Sequence, residues 1–158
     1  MKPLLENSDA EVFGPKASCL LLPIDLYRCP SGVLSLAHAF VKPFHGRIIL
    51  LHVVASGGSG TSASDRHTRR AFEALEALEA LISPQVDVVV RVRKGVPHEE
   101  ILSEVTDAGV DFILLPVFAP SLWRRLWGLP HSTTANALLA RAVARIFVFE
   151  APSYTRCL

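Results

Sequence analysis

Residues 47–54 read Arg-Ile-Ile-Leu-Leu-His-Val-Val (RIILLHVV), and this run decides the fold class. A strand with one wet face alternates apolar and polar residues. A short run without alternation fits a strand buried on both faces, as in a parallel sheet covered by helices. Four further runs have the same character: Cys19–Leu26 (CLLLPIDL), Val86–Val92 (VDVVVRV), Asp111–Phe118 (DFILLPVF) and Arg145–Glu150 (RIFVFE). Helical patterns lie between them. Ser31–Phe44 carries Val33, Ala37, Phe40, Val41 and Phe44 at helical spacing, with Pro30 and Ser31 at its start. Thr68–Ile82 puts Ala71, Leu75, Leu78 and Ile82 on one stripe and Glu73, Glu76 and Glu79 off it. In Pro97–Ala108, Ile101, Val105 and Ala108 face inward and Gly109 suits the C-terminal cap. Thr133–Ala142 is the last helix, and the glycine- and serine-rich stretch 55–65 (ASGGSGTSASD) reads as a flexible loop.

Strands alternating with helices predict an α/β fold: a single doubly wound domain with a five-stranded parallel sheet, order 3-2-1-4-5, and helices on both faces. Residues 1–16 read as an irregular arm, 17–150 as the domain and 151–158 as a tail. A chain of 158 residues suits one domain. At that size roughly 68–70% of the unfolded surface is buried, so no staples are needed.

Composition narrows the functional classes. The formal net charge is +1, and Lys and Arg are scattered in pairs such as Arg69–Arg70 and Arg124–Arg125. Binding to a phosphate backbone needs a concentrated basic face, so no nucleic acid partner is expected. Cys19, Cys29 and Cys157 have no disulfide or metal spacing and read as reduced thiols of a cytoplasmic protein. No signal peptide and no membrane span is read in the sequence.

In doubly wound sheets ligands sit beyond the carboxyl ends of the strands, where the strand order reverses. This directs attention to Pro23–Leu26, Val53–Ser56, Lys94–Val96 and Leu115–Ala119. At these ends the sequence resembles the universal stress protein family. The first strand closes on Pro23-Ile24-Asp25, and the second on Leu51-His52-Val53-Val54. Lys94-Gly95-Val96-Pro97-His98-Glu99-Glu100-Ile101 looks like the family's turn into its third helix, and Gly109-Val110-Asp111 leads into the fourth strand.

The resemblance implies an adenine-nucleotide site. It would place Pro23, Ile24, Asp25 and Val53 on the base and ribose side, with Leu115 beside the nucleotide. The family's ATP-binding members carry Gly-x2-Gly-x9-Gly-[Ser/Thr] after the fourth strand. Here the first two positions hold Pro116 and Ala119, and Gly128 falls one residue before the third. Counting back from the fifth strand instead puts Ser132-Thr133 at the final pair. A phosphate cradle is built from backbone N–H groups at close approach. Proline has no N–H, and Ala119 adds a methyl group where a phosphate should approach. Charge-assisted hydrogen bonds contribute roughly 1.5–3 kcal/mol each. Losing one or two weakens binding about ten- to several-hundredfold. The expected ligand is therefore ATP or another adenine nucleotide, held weakly.

Each feature also has a plain structural role. Asp25 suits a loop cap, His52 a hydrogen-bonded structural histidine, and Ser132 and Thr133 a helix N-cap. No nucleophile elbow, Walker loop or metal spacing is present in the sequence, so no catalytic residue and no metal site is named. In Ser121–Gly128 (SLWRRLWG), Trp123 and Trp127 stand four residues apart. They either pack back into the space of an absent nucleotide, form a partner surface, or touch a membrane surface. The last strand would be an apolar sheet edge through Ile146 and Val148, which predicts a homodimer along it. The expected function is a non-enzymatic stress-response or signalling module that binds a partner protein or a nucleotide. A slow ATP hydrolase or nucleotide-transfer enzyme, and a structural dimer with a plugged cleft, are the alternatives.

Overall fold

A computed structural model of the chain describes residues 18–55, 61–117, 144–151 and 153–158. Five strands form one parallel sheet: β1 (Cys19–Pro23), β3 (Arg47–Ala55), β4 (Asp87–Gly95), β5 (Phe112–Val117) and β6 (Arg145–Glu150). Their order is β4-β3-β1-β5-β6, the predicted 3-2-1-4-5 pattern. Two residues of β2 (Cys29–Pro30) pair antiparallel with β7 (Tyr154–Thr155) as a separate ribbon. The described helices are α1 (Val33–Val41), α2 (Thr61–Glu79) and α3 (Pro97–Ala108).

The unbroken apolar runs mean what their lack of alternation implies. Leu20 and Leu22 of β1 and Ile48 and Leu50 of β3 enter a core shared with Val33, Ala37 and Val41 of α1 and Ala71, Leu75 and Leu78 of α2. The residues between them, Leu21, Ile49 and Leu51, enter a second core with Ile101 and Val105 of α3. Leu20–Leu22 and Ile48–Leu51 are thus packed at every position, one face on each helical layer. Each fully buried Leu or Ile contributes about 1.5–3 kcal/mol over an exposed one.

Several boundaries differ from the sequence reading. Helix α1 ends at Val41 and gives way to a 3-10 turn over Lys42–Phe44, because Pro43 removes an N–H. Phe44 is consequently 37% exposed rather than part of the stripe. Helix α2 begins at Thr61, inside the stretch read as a loop. Within its first turns the Thr68 hydroxyl donates to the Ser64 carbonyl at 2.9 Å, and Asp65 lies 3.1 Å from Lys94 at the end of β4. Strand β4 runs on to Gly95 because β3 offers it a full ladder, from Arg47↔Asp87 to Ala55↔Gly95. Helix α3 begins and ends where predicted, and Gly109 caps it in the left-handed region at φ 62°. The predicted helix over 133–142 lies outside the described residues.

Candidate functional site

Strands β1 and β5 are neighbours for only part of their length. Their pairing covers Leu20↔Phe112 and Leu21↔Ile113 and then stops. The chain winds from β1 through β3 to β4 on one side, and from β5 to β6 on the other. The strand order therefore reverses between β1 and β5, where ligands of such sheets bind.

A cavity of about 650 Å³ lies at this point. That is within the range of small-molecule sites, roughly 300–1,000 Å³. Pro23, Ile24 and Asp25 reach it from the end of β1, Val53 from β3, and Leu115 and Pro116 from β5. The structure thus brings together six of the residues singled out from the sequence. Ala119, Trp123, Trp127, Gly128, Ser132 and Thr133 lie outside the described residues.

The end of β1 is held by backbone geometry. The Ile24 N–H donates to the Leu51 carbonyl at 2.8 Å, continuing the ladder past Pro23. The chain then turns at Asp25. The Tyr27 N–H donates to Asp25 Oδ1 at 3.0 Å, and the Arg28 N–H to the Asp25 carbonyl at 2.9 Å. One carboxylate oxygen therefore caps the turn, as an Asp in a loop often does. The other, Oδ2, is buried and has no hydrogen-bond partner among the described residues, and Asp25 lines the cavity. A buried acceptor left unpaired costs about 1–3 kcal/mol, so the arrangement is suited to a hydrogen-bond donor. His52 is 7% exposed, and its Nδ1 lies 2.8 Å from the Ile24 carbonyl.

Pro116 stands inside β5, in register with Phe149 of β6. Pairing with β1 has ended by then, and a strand that has lost one neighbour is where proline is tolerated. Pro116 lines the same cavity as Asp25.

The structure adds groups that the sequence reading did not select. His67 and Arg70 reach the cavity from α2, and Tyr27, Arg156 and Leu158 from the turn and the C-terminal segment. The Arg69–Arg70 pair was visible, but its direction depends on where α2 starts. The segment 153–158 carries no periodic signal. It is held by backbone bonds: the Cys157 N–H donates to the Leu26 carbonyl at 2.9 Å and the Ser31 N–H to the Ser153 carbonyl at 3.0 Å. Cys29 is buried beside Cys157, and burial first, then the neighbouring Cys157, pushes its thiol pKa up to about 12.

At the β6 edge, Val148 is 64% and Phe147 40% exposed. Ile146 is half-buried against the α3-side core. The Phe147 ring also leans on Phe40 and Phe112, with centroids 5.1 and 5.8 Å away.

A family model described as "Universal stress protein family" matches residues 20–145. The chain belongs to the universal stress protein family. Solved structures agree on the fold. The hypothetical protein MJ0577 is 19% identical, with a TM-score of 0.68 over 86% of this chain and 97% of its own. Universal stress protein UspA from Lactobacillus plantarum is 16% identical, with a TM-score of 0.59 over 85% and 98%. A universal stress protein solved in complex with cAMP is 14% identical, with a TM-score of 0.57 over 85% and 98%. No curated protein matches the sequence. Among the described residues no group of His, Cys, Asp or Glu is placed to hold a metal, and no helix is long and apolar enough to cross a membrane.

Proposed function

We propose that this universal stress protein is a cytoplasmic, non-enzymatic binding module that takes an adenine nucleotide weakly at the β1/β5 switch point. The carrying observation is Asp25, whose buried Oδ2 has no partner among the described residues, on the wall of a cavity of about 650 Å³ that Ile24 and Val53 also line. A similar fold holds cAMP, which supports an adenine nucleotide as the ligand. The weakness follows from Pro116, which lines the same cavity without an N–H, and from Ala119. Binding and release, passed to a partner protein, would be the signal.

Calorimetric titration with ATP, AMP and cAMP, with and without magnesium, tests the reading. Binding that weakens in Asp25→Ala supports it. Heat-silent titrations for all three at millimolar concentration, or turnover of ATP lost in Asp25→Ala, would overturn it.

We further propose a homodimer along β6. Val148 and Phe147 leave apolar area on an edge strand, a surface that favours pairing with a second copy. Light scattering at high micromolar concentration should give twice the mass of one chain, reduced in Val148→Lys. A monomeric mass for the unaltered protein contradicts the dimer.

A further inference from the structure

We propose that Arg70, with His67 one turn before it on α2 and Arg156 from the C-terminal segment, forms a cationic rim that binds the phosphate of a nucleoside phosphate. The rim would stand in for the glycine N–H groups that this chain lacks. The inference rests on the adenine-nucleotide reading above and adds to it which residues recognise the charged end.

Three observations converge. First, two guanidinium groups, Arg70 and Arg156, stand at the cavity wall with Asp25, and Arg156 already donates to the Leu158 oxygen there. Second, Arg70 has no carboxylate partner among the described residues. Arg47, Arg91, Arg93 and Lys94 each face one, at 2.6, 3.8, 2.6 and 3.1 Å. An arginine left unpaired beside a cavity has its five donors free for a planar or tetrahedral anion. Third, the two sides of the rim are positioned by structure rather than by chance exposure. His67 and Arg70 share a helix face at i, i+3 spacing, and the adjacent Ala71 is 1% exposed, pinning that turn of α2 to the core. Arg156 donates through Nε to the Leu158 main-chain oxygen and lies over the Tyr27 ring, 5.9 Å from its centroid. Tyr27 in turn is bonded to Asp25, so the rim and the proposed ribose contact are built on one turn.

The chemistry suits a terminal phosphate. Where a glycine loop would offer backbone N–H groups, Pro116 offers none. A guanidinium supplies paired N–H donors and a full charge without close backbone approach.

The experiment compares adenosine, AMP and ATP by calorimetry against the unaltered chain, Arg70→Ala, Arg70→Lys and Arg156→Ala. Thermal melts of each variant verify the fold. The unaltered chain should bind AMP about tenfold or more tightly than adenosine, from one charge-assisted contact. The ratio should collapse toward unity in Arg70→Ala, fall partly in Arg156→Ala and be partly kept in Arg70→Lys. An AMP-to-adenosine ratio near unity in the unaltered chain, or one that Arg70→Ala leaves intact, overturns the rim while the nucleoside reading stands. Failure of all three ligands to bind overturns both.

Discussion

The His52 imidazole Nδ1 lies 2.8 Å from the Ile24 carbonyl oxygen, so a residue inside β3 holds the turn that carries Asp25. A carbonyl can only accept, so Nδ1 carries the proton. His52→Leu would fill the space but leave the Ile24 oxygen unpaired in a buried place. The expected loss is about 1–3 kcal/mol in urea denaturation, together with weaker nucleotide binding as the turn loosens. Unchanged stability would mean that the contact is not maintained in solution.

Helix α3 carries an acid on its buried stripe. Ile101, Glu104 and Val105 face inward, and Glu104 is 2% exposed. Its Oε2 accepts from Arg93 Nε at 2.6 Å, and Arg93 also reaches Asp107 at 2.6 Å. Arg93→Ala leaves a buried carboxylate with Arg91, 3.8 Å away, as its remaining ion-pair partner among the described residues. Removing one member of such a pair typically costs about 3–5 kcal/mol, so a loss near 3 is expected. The exposed Arg47–Asp87 pair is the control: Arg47→Ala should leave the urea midpoint nearly where it was. Equal effects at the two arginines would contradict the assignment.

Two glycines should respond differently to alanine. A Cβ at Gly46 would stand 2.5 Å from the Ser18 carbonyl oxygen, which is backbone and cannot step aside, so Gly46→Ala should be strongly destabilising. At Gly109 nothing lies within 4 Å, and the strain comes from φ +62° alone. Gly109→Ala should cost about 1–2 kcal/mol and Gly109→Asn less. Thermal melts of the three variants give the ranking, which reverses if Gly46 has room.

Cys29 predicts an alkaline limit on stability. Its folded pKa, pushed up to about 12, stands above the ordinary value of 9.0. The folded chain then binds the proton more tightly than the unfolded chain. The contribution is complete below pH 9 and is lost as pH rises through the window from 9 to about 12. Melting temperature should fall across that window more steeply in the unaltered protein than in Cys29→Ala. Parallel pH profiles would show that Cys29 does not contribute.

The sheet was legible because its strands are buried on both faces. RIILLHVV and CLLLPIDL left no other simple reading, and the reversal at β1 followed from the topology. The strand ends pointed to the stretches that hold Asp25, Val53 and Leu115, and the family resemblance singled these residues out within them; all three line the cavity. The start of α2 at Thr61 was hidden because serine and glycine near a helix start resemble a loop. Arg70 could not be aimed until that boundary was known. The C-terminal segment was illegible for another reason: Arg156 and Leu158 reach the site through the two-residue β2–β7 ladder, too short to leave a pattern.

The central claim is that the base and ribose side of the site is kept while the phosphate loop is impaired. Its most direct test is calorimetric titration of ATP into the unaltered chain and into the Pro116→Gly/Ala119→Gly double variant. The account predicts weak binding by the unaltered chain and binding about tenfold or more tighter in the variant, as an N–H returns and a methyl group leaves. Low-micromolar binding of ATP by the unaltered chain, or no binding by either at millimolar ATP, would contradict it.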